Sequence, residues 1–157
     1  MKILNLLELV IKSLAGAFLG AVFVLVIAQV ASRFIFNFSF AAASELSIYA
    51  MIWSVFLGSA VAFRGNQHIA MNIVKHAAPK SLQNFLNLFI FLCLALFLAV
   101  ILFKGHDLSL RAMRQVSPAA GLQVGYVSMA MPICSVLALI FLIEDFYRQF
   151  KKSPEND

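Results

Sequence analysis

The sequence predicts an all-α membrane protein: four transmembrane helices, a short interfacial amphipathic helix between the second and third, and both termini in the cytoplasm. Three observations carry this expectation. Of the 157 residues, 62% are hydrophobic and only 12% charged, with a mean hydropathy of +0.93; soluble domains are about half apolar and about a quarter charged. Four runs without charge are each long enough for a hydrocarbon core about 30 Å thick, which takes about 20 helical residues. Lysines and arginines gather at the ends of those runs, as membrane-flanking residues do. The spans must be helical, because an open strand in lipid leaves its backbone groups unsatisfied. Barrel strands would alternate polar and apolar residues over about ten positions, and no segment does.

The first span runs from Leu14 to Ser32, with Gln29 as its only long polar side chain. The charge-free stretch from Ser13 exceeds a signal-peptide apolar region of about 7–15 residues, so a retained helix is expected. The second span, Leu46 to Phe63, is bracketed by Glu45 and Arg64. Beyond it, Ile69, Ala70, Ile73, Val74 and Ala77 recur at helical spacing, with Asn72, Lys75 and His76 on the other side. An interfacial helix over 66–80 follows, and Pro79 would open the third span as a first-turn proline.

The third span covers Phe85 to Phe103 and is expected to continue out of the bilayer. Lys104, Asp107, Arg111 and Arg114 step by three or four residues along one face. A pair between Asp107 and Arg111 would add about 0.3–0.5 kcal/mol. Ser117-Pro118-Ala119-Ala120-Gly121 turns the chain into a fourth span, Val124 to Ile143. Within it, Pro132 has no N–H and crowds the carbonyl of Ser128, so a kink is expected. The freed carbonyl would be satisfied by the Ser128 or Ser135 hydroxyl or by a neighbouring helix. The polar tail from Lys151 is expected to fray. No repeat or linker divides the chain, so residues 1–157 read as one four-helix transmembrane domain.

Orientation follows from the bases. With a cytoplasmic N-terminus, Lys2, Lys12, Arg64, Lys75, Lys80, Arg148, Lys151 and Lys152 lie inside, against Arg33, Lys104, Arg111 and Arg114 outside. The net charge of +5 therefore reflects membrane flanks. No basic stripe with interleaved aromatics points to nucleic acid.

The polar residues show no reaction chemistry. No Asp or Glu lies inside the four spans, whereas a proton- or ion-coupled pump needs a membrane-buried acid. His68, His76 and His106 all fall outside the spans, where they cannot clamp a haem within a bundle. Cys93 and Cys134 sit singly in apolar runs and are expected to be buried thiols. No phosphate loop, triad or paired carboxylates appear, so the chain is not an enzyme. Arg33 and Glu45 are expected to pair at the outer interface.

What remains is packing surface. Gly16 and Gly20 form a GxxxG, and Gly58 with Ala62 repeats the small-xxx-small spacing. Such faces let helices approach closely, either within the four-helix bundle or against a partner. Trp53, in mid-span, carries an indole N–H that requires an acceptor.

The run Arg33-Phe34-Ile35-Phe36-Asn37, then Ser44-Glu45-Leu46, Tyr49, Trp53, Phe56-Leu57-Gly58, Ala62-Phe63-Arg64 and His68-Ile69 resembles the DctQ-like family. These are the small membrane subunits of tripartite ATP-independent periplasmic (TRAP) transporters. Ser117-Pro118-Ala119, Gly125-Tyr126 and Met131-Pro132 resemble that family's entry into the fourth helix. A single acid, Glu45, stands where many members carry two adjacent acids.

The resemblance implies a four-helix accessory subunit of the bacterial inner membrane. It would brace a large membrane subunit that holds the substrate and sodium sites and moves by an elevator-like motion. A periplasmic solute-binding protein would deliver an organic acid of the C4-dicarboxylate or sialic acid type. No cofactor is expected in this chain, and sodium belongs to the large partner. Arg33, Glu45, Tyr49, Trp53, Gly58, Arg64, His68, Gly16, Gly20 and Pro132 are the candidate interface or structural residues. Two other readings remain: a small four-helix multidrug exporter, which would need a buried acid in its first span, and a membrane-anchor subunit of a redox enzyme.

Overall fold

The computed structural model describes residues 2–35, 37, 40–64 and 80–152. All of the expected interfacial helix over 66–80 except Lys80, including His68, His76 and Pro79, lies outside the described residues. Helix α1 spans Lys2–Ile35, α2 Ala41–Ala62, α3 Lys80–Ala112, α4 Val124–Ser128 and α5 Ala130–Lys152. Among the described residues, four stretches are long and apolar enough to cross a membrane: Leu4–Ile35, Ala41–Ala62, Leu88–Ala112 and Val124–Tyr147.

The spans sit where hydropathy places them, but their helices run further. At 1.5 Å per residue, α1 is about 50 Å long and outruns a hydrocarbon core of about 30 Å. It begins twelve residues before Leu14, so Glu8 and Lys12 are helical residues. Helix α3 continues past Phe103 as expected and carries Lys104, Asp107 and Arg111 on exposed turns. Asp107 and Arg111 do not form the expected ion pair: both side chains are exposed, where water serves each as well.

The fourth span is interrupted at Met129, between α4 and α5. The interruption falls three residues before the buried Pro132, as its missing N–H requires. The two serines do not serve the freed Ser128 carbonyl. Ser128 Oγ donates to the Val124 carbonyl at 3.3 Å, and Ser135 Oγ to that of Met131 at 2.7 Å. Each hydroxyl bonds back to the carbonyl four residues earlier in its own helix, the local acceptor open to a helical serine.

The helices form an open row, not the closed bundle that four similar spans suggest. Helix α1 packs on α2, α2 on α5 and α5 on α3, with α4 wedged between α3 and the α2–α5 pair. The outer helices α1 and α3 do not approach each other among the described residues. The core lies along the middle of the row. Leu57, Ala60 and Val61 of α2 meet Cys134, Ala138, Phe141 and Leu142 of α5, with Leu98 of α3 and Ile11 of α1 at its margins. Those α5 positions recur at i, i+4, i+7 and i+8, one helical face. Outside the core the row is thin. None of the most apolar stretch of α1 is buried, against 44% of that of the last span.

Close approaches occur at glycines other than the expected ones. Over Gly16, Gly20 and Gly58 there is open space to at least 4 Å. The face of α1 turned to α2 instead carries Ile11, Ala15 and Phe18, and Ser54 Oγ donates across to the Ala15 carbonyl at 2.9 Å. At Gly105 a Cβ would lie 3.2 Å from Met131 Cβ and 3.4 Å from Pro132 Cδ. At Gly125 it would lie 2.8 Å from the Met113 backbone nitrogen, too close for any side chain. Those two glycines let α3 meet the fourth span on either side of its break.

Candidate functional site

Polar side chains gather at the two ends of the row, and each end is built around one residue in α2 or just beyond it. At the first end, Arg64 follows directly on the last turn of α2, held there by its N–H donating to the Val61 carbonyl at 3.0 Å. Its side chain is only 5% exposed. Guanidinium carries five N–H donors in a rigid fork, and here each has an acceptor. Nε donates to Glu144 Oε2 at 2.9 Å and Nη2 to Glu144 Oε1 at 3.2 Å, a bidentate grip. Nη1 donates to the Leu4 carbonyl at 2.7 Å and to Glu8, and Nη2 also to Asn5 Oδ1. The Phe141 ring lies below, its centroid 5.6 Å from Cζ, at cation–π range.

Lys12 pairs with Glu8 from one turn away, at 2.5 Å. Two bases and two acids thus balance, and one arginine ties together the ends of α1, α2 and α5. Buried charge is tolerable only when paired and hydrogen-bonded in this way.

At the opposite end, Glu45 lies in the second turn of α2. The expected partner Arg33 does not take it. Glu45 Oε2 accepts from the Ser117 hydroxyl, from the Ala120 N–H at 2.8 Å and from the Ala119 N–H at 3.2 Å. Sequence proximity suggested Arg33, but Glu45 projects from α2 toward the α3–α4 connection, away from α1. That connection is a tight loop built to present donors. Val116 and Gln123 form an antiparallel bridge, Ser117 N–H donates to the Leu122 carbonyl at 2.8 Å, and Gly121 N–H to that of Ser117 at 3.1 Å. Pro118 has no N–H of its own, which leaves the two following amides to turn toward the carboxylate.

The remaining sequence candidates separate. Trp53 stacks on Phe18, centroids 6.1 Å apart at 18°, linking α1 and α2; its indole N–H finds no acceptor among the described residues, contrary to expectation. Tyr49 is half-buried on α2. Arg33 is exposed at the end of α1. Cys134 is in the core, but Cys93 faces outward and is not the buried thiol expected. Among the described residues no group of three His, Cys, Asp or Glu could hold a metal ion.

Sequence reasoning missed Glu8, Asn5, Glu144 and Ser117 as partners. Glu8 does place an acid on the first helix, the feature an exporter would need. It lies at the helix end, though, and is held by Arg64 and Lys12.

A row of membrane-spanning helices, cross-tied at both ends and with broad apolar flanks left open, defines the class as a multi-pass membrane protein. Comparison with known proteins gives that class its family. The model for the DctQ component of tripartite ATP-independent periplasmic transporters matches residues 22–152, and the chain belongs to this family. A sialic acid TRAP transporter permease protein of Haemophilus influenzae (strain 86-028NP) is 26% identical over 155 residues, covering 96% of this chain and 24% of that protein. A TRAP transporter small permease protein of Haemophilus influenzae (strain ATCC 51907 / DSM 11121 / KW20 / Rd) is 28% identical over 134 residues, 85% of this chain and 83% of the relative. The chain thus spans about a quarter of the first relative and most of the second. It is a TRAP transporter small permease subunit, a multi-pass inner-membrane protein and not an enzyme.

Proposed function

We propose that this chain is a rigid brace for a large TRAP membrane subunit, which carries the substrate and sodium sites and moves while the small subunit stays fixed. The observation that carries this reading is the open row. Its helices are tied at both ends by Arg64 and Glu45, while Leu19, Phe23, Leu96 and Phe103 on the outer helices α1 and α3 stay more than half exposed. In lipid such helices gain nothing from hiding apolar surface, and association depends on close van der Waals packing. The uncovered Gly16, Gly20 and Gly58 are places where a partner helix could come close.

The transported solute is an organic acid delivered by a periplasmic binding protein. The sialic acid permease relative supports that class, with C4-dicarboxylates the other candidate. Sodium drives uptake from the large subunit, and this chain holds no cofactor. The excess of bases at the Arg64 end supports placing that end and both termini in the cytoplasm.

Co-expression tests the proposal. A tag on the large membrane subunit should bring this chain down in constant ratio, and Gly20→Phe should lower the yield without changing this chain's own melting temperature. Purification of the chain by itself as a stable unit that takes up solute would refute the bracing role.

A further inference from the structure

Where α1 ends and α2 begins, the two helices enclose a groove of about 560 Å³. Arg33, Gln29, Asn37 and Ser44 supply its polar lining, and Phe34 and Phe40 its apolar walls. Asn37 adopts φ +48, a left-handed conformation that asparagine tolerates, which turns the chain just past α1. The lining holds one cation and no carboxylate. Glu45, next to Ser44, is turned away and engaged by the α3–α4 loop. Arg33 itself has no hydrogen-bond or ion-pair partner among the described residues.

The groove opens onto an apolar track. Phe23, Ile27, Val30 and Phe34 recur at i, i+4, i+7 and i+11 along one face of α1, each 48–81% exposed. Arg33 flanks that face at its upper end, where the charge-free span ends. A phosphate among donors at the span's end, continuous with an exposed apolar stripe pointing into the bilayer, is the chemistry of a membrane lipid.

We propose that this groove binds the headgroup of an anionic phospholipid, with phosphate on Arg33, Asn37 and Ser44 and an acyl chain along Phe23, Ile27 and Val30. The acyl-chain track continues the Gly16–Gly20 stripe that the bracing role offers to the large subunit, so lipid and partner meet on one face of α1; lipid retention reads the site and co-purification reads the brace, and the two fail independently.

Native mass spectrometry of the full chain, purified with whatever membrane partner it retains, tests the site. Wild type, Arg33→Gln and Arg33→Lys are each exposed to phosphatidylglycerol, phosphatidylcholine or inorganic phosphate. A cationic side chain near a membrane surface contributes about 1 kcal/mol toward anionic lipid, so Arg33→Gln should retain phosphatidylglycerol about fivefold less, with Arg33→Lys close to wild type. Phosphatidylcholine should show no such difference, and inorganic phosphate should not displace the lipid. Equal phosphatidylglycerol retention by Arg33→Gln overturns the proposal, and so does equal preference for phosphatidylcholine. Displacement by inorganic phosphate would make the ligand a free anion. Loss of the membrane partner with lipid retention unchanged would make the groove a protein contact. A lowered melting temperature of lipid-free Arg33→Gln would make Arg33 structural; an unchanged one is expected.

Discussion

Arg64 is the residue on which most depends. All five of its donors are used and its side chain is 5% exposed, so its removal leaves Glu144, itself 10% exposed, without its bidentate partner. Breaking a buried pair by deleting one member costs about 3–5 kcal/mol. Arg64→Ala should fall at the low end, because Glu8 keeps Lys12. Arg64→Lys should recover only part of the loss, since an ammonium offers three donors where a planar fork offered five. Melting curves in detergent read both.

Glu45 gives a sharper comparison. Glu45→Ala strands the Ala119 N–H and the Ser117 hydroxyl and leaves the Ala120 N–H only its 3.2 Å bond to Ser117 Oγ, a loss of about 1–3 kcal/mol, whereas Glu45→Gln keeps an acceptor oxygen and should lose about half as much. Arg33→Ala should leave the melting temperature unchanged. Were Arg33 and Glu45 partners, the two alanine variants would melt alike.

Both α2 anchors were visible in the sequence as charges bracketing an apolar run, but their partners were not. Glu8, Glu144 and the Ser117–Ala120 loop lie 56, 80 and 72–75 residues away in the chain. Only the fold brings them near.

Among the elements, the spans were legible and their faces were not. A run such as Phe85–Phe103 is apolar on every side, so its pattern shows that lipid surrounds it without showing which side meets α5. The small-residue rule found glycines, yet Gly16 and Gly20 face open space while Gly105 lies against Met131 and Pro132. Gly105 stands one residue past Lys104, where the hydropathy signal has ended.

The contact predicts an asymmetry. Gly105→Leu should push α3 off α5 and lower the melting temperature clearly, while Gly105→Ala needs neighbours to yield only a few tenths of an ångström and should cost much less. Gly16→Leu and Gly20→Leu should leave the isolated chain's melting temperature unchanged. Similar losses at all three positions would mean that α1 has a neighbour the row does not contain. The break before Pro132 was legible because proline imposes it wherever it falls. The route of the Ser128 and Ser135 hydroxyls was not, since several acceptors were within reach.

At the scale of the whole molecule, an open row accounts for what composition left unexplained. Four spans could have closed on themselves and needed nothing else. Instead the core is centred on the α2–α5 seam, and among the described residues α1 and α3 end the row with their outward sides bare. Ties at both ends hold such a row together without a closed interior, as the proposed bracing role requires.

The most direct measurement is sodium-driven uptake of a labelled organic acid into proteoliposomes containing the large subunit and binding protein, with and without this chain. Uptake should be low without it, return when wild-type chain is added, and stay low with Arg64→Ala, whose row is untied. Full uptake without this chain, or with Arg64→Ala at the wild-type rate, would contradict the account of a brace that the transporter needs intact.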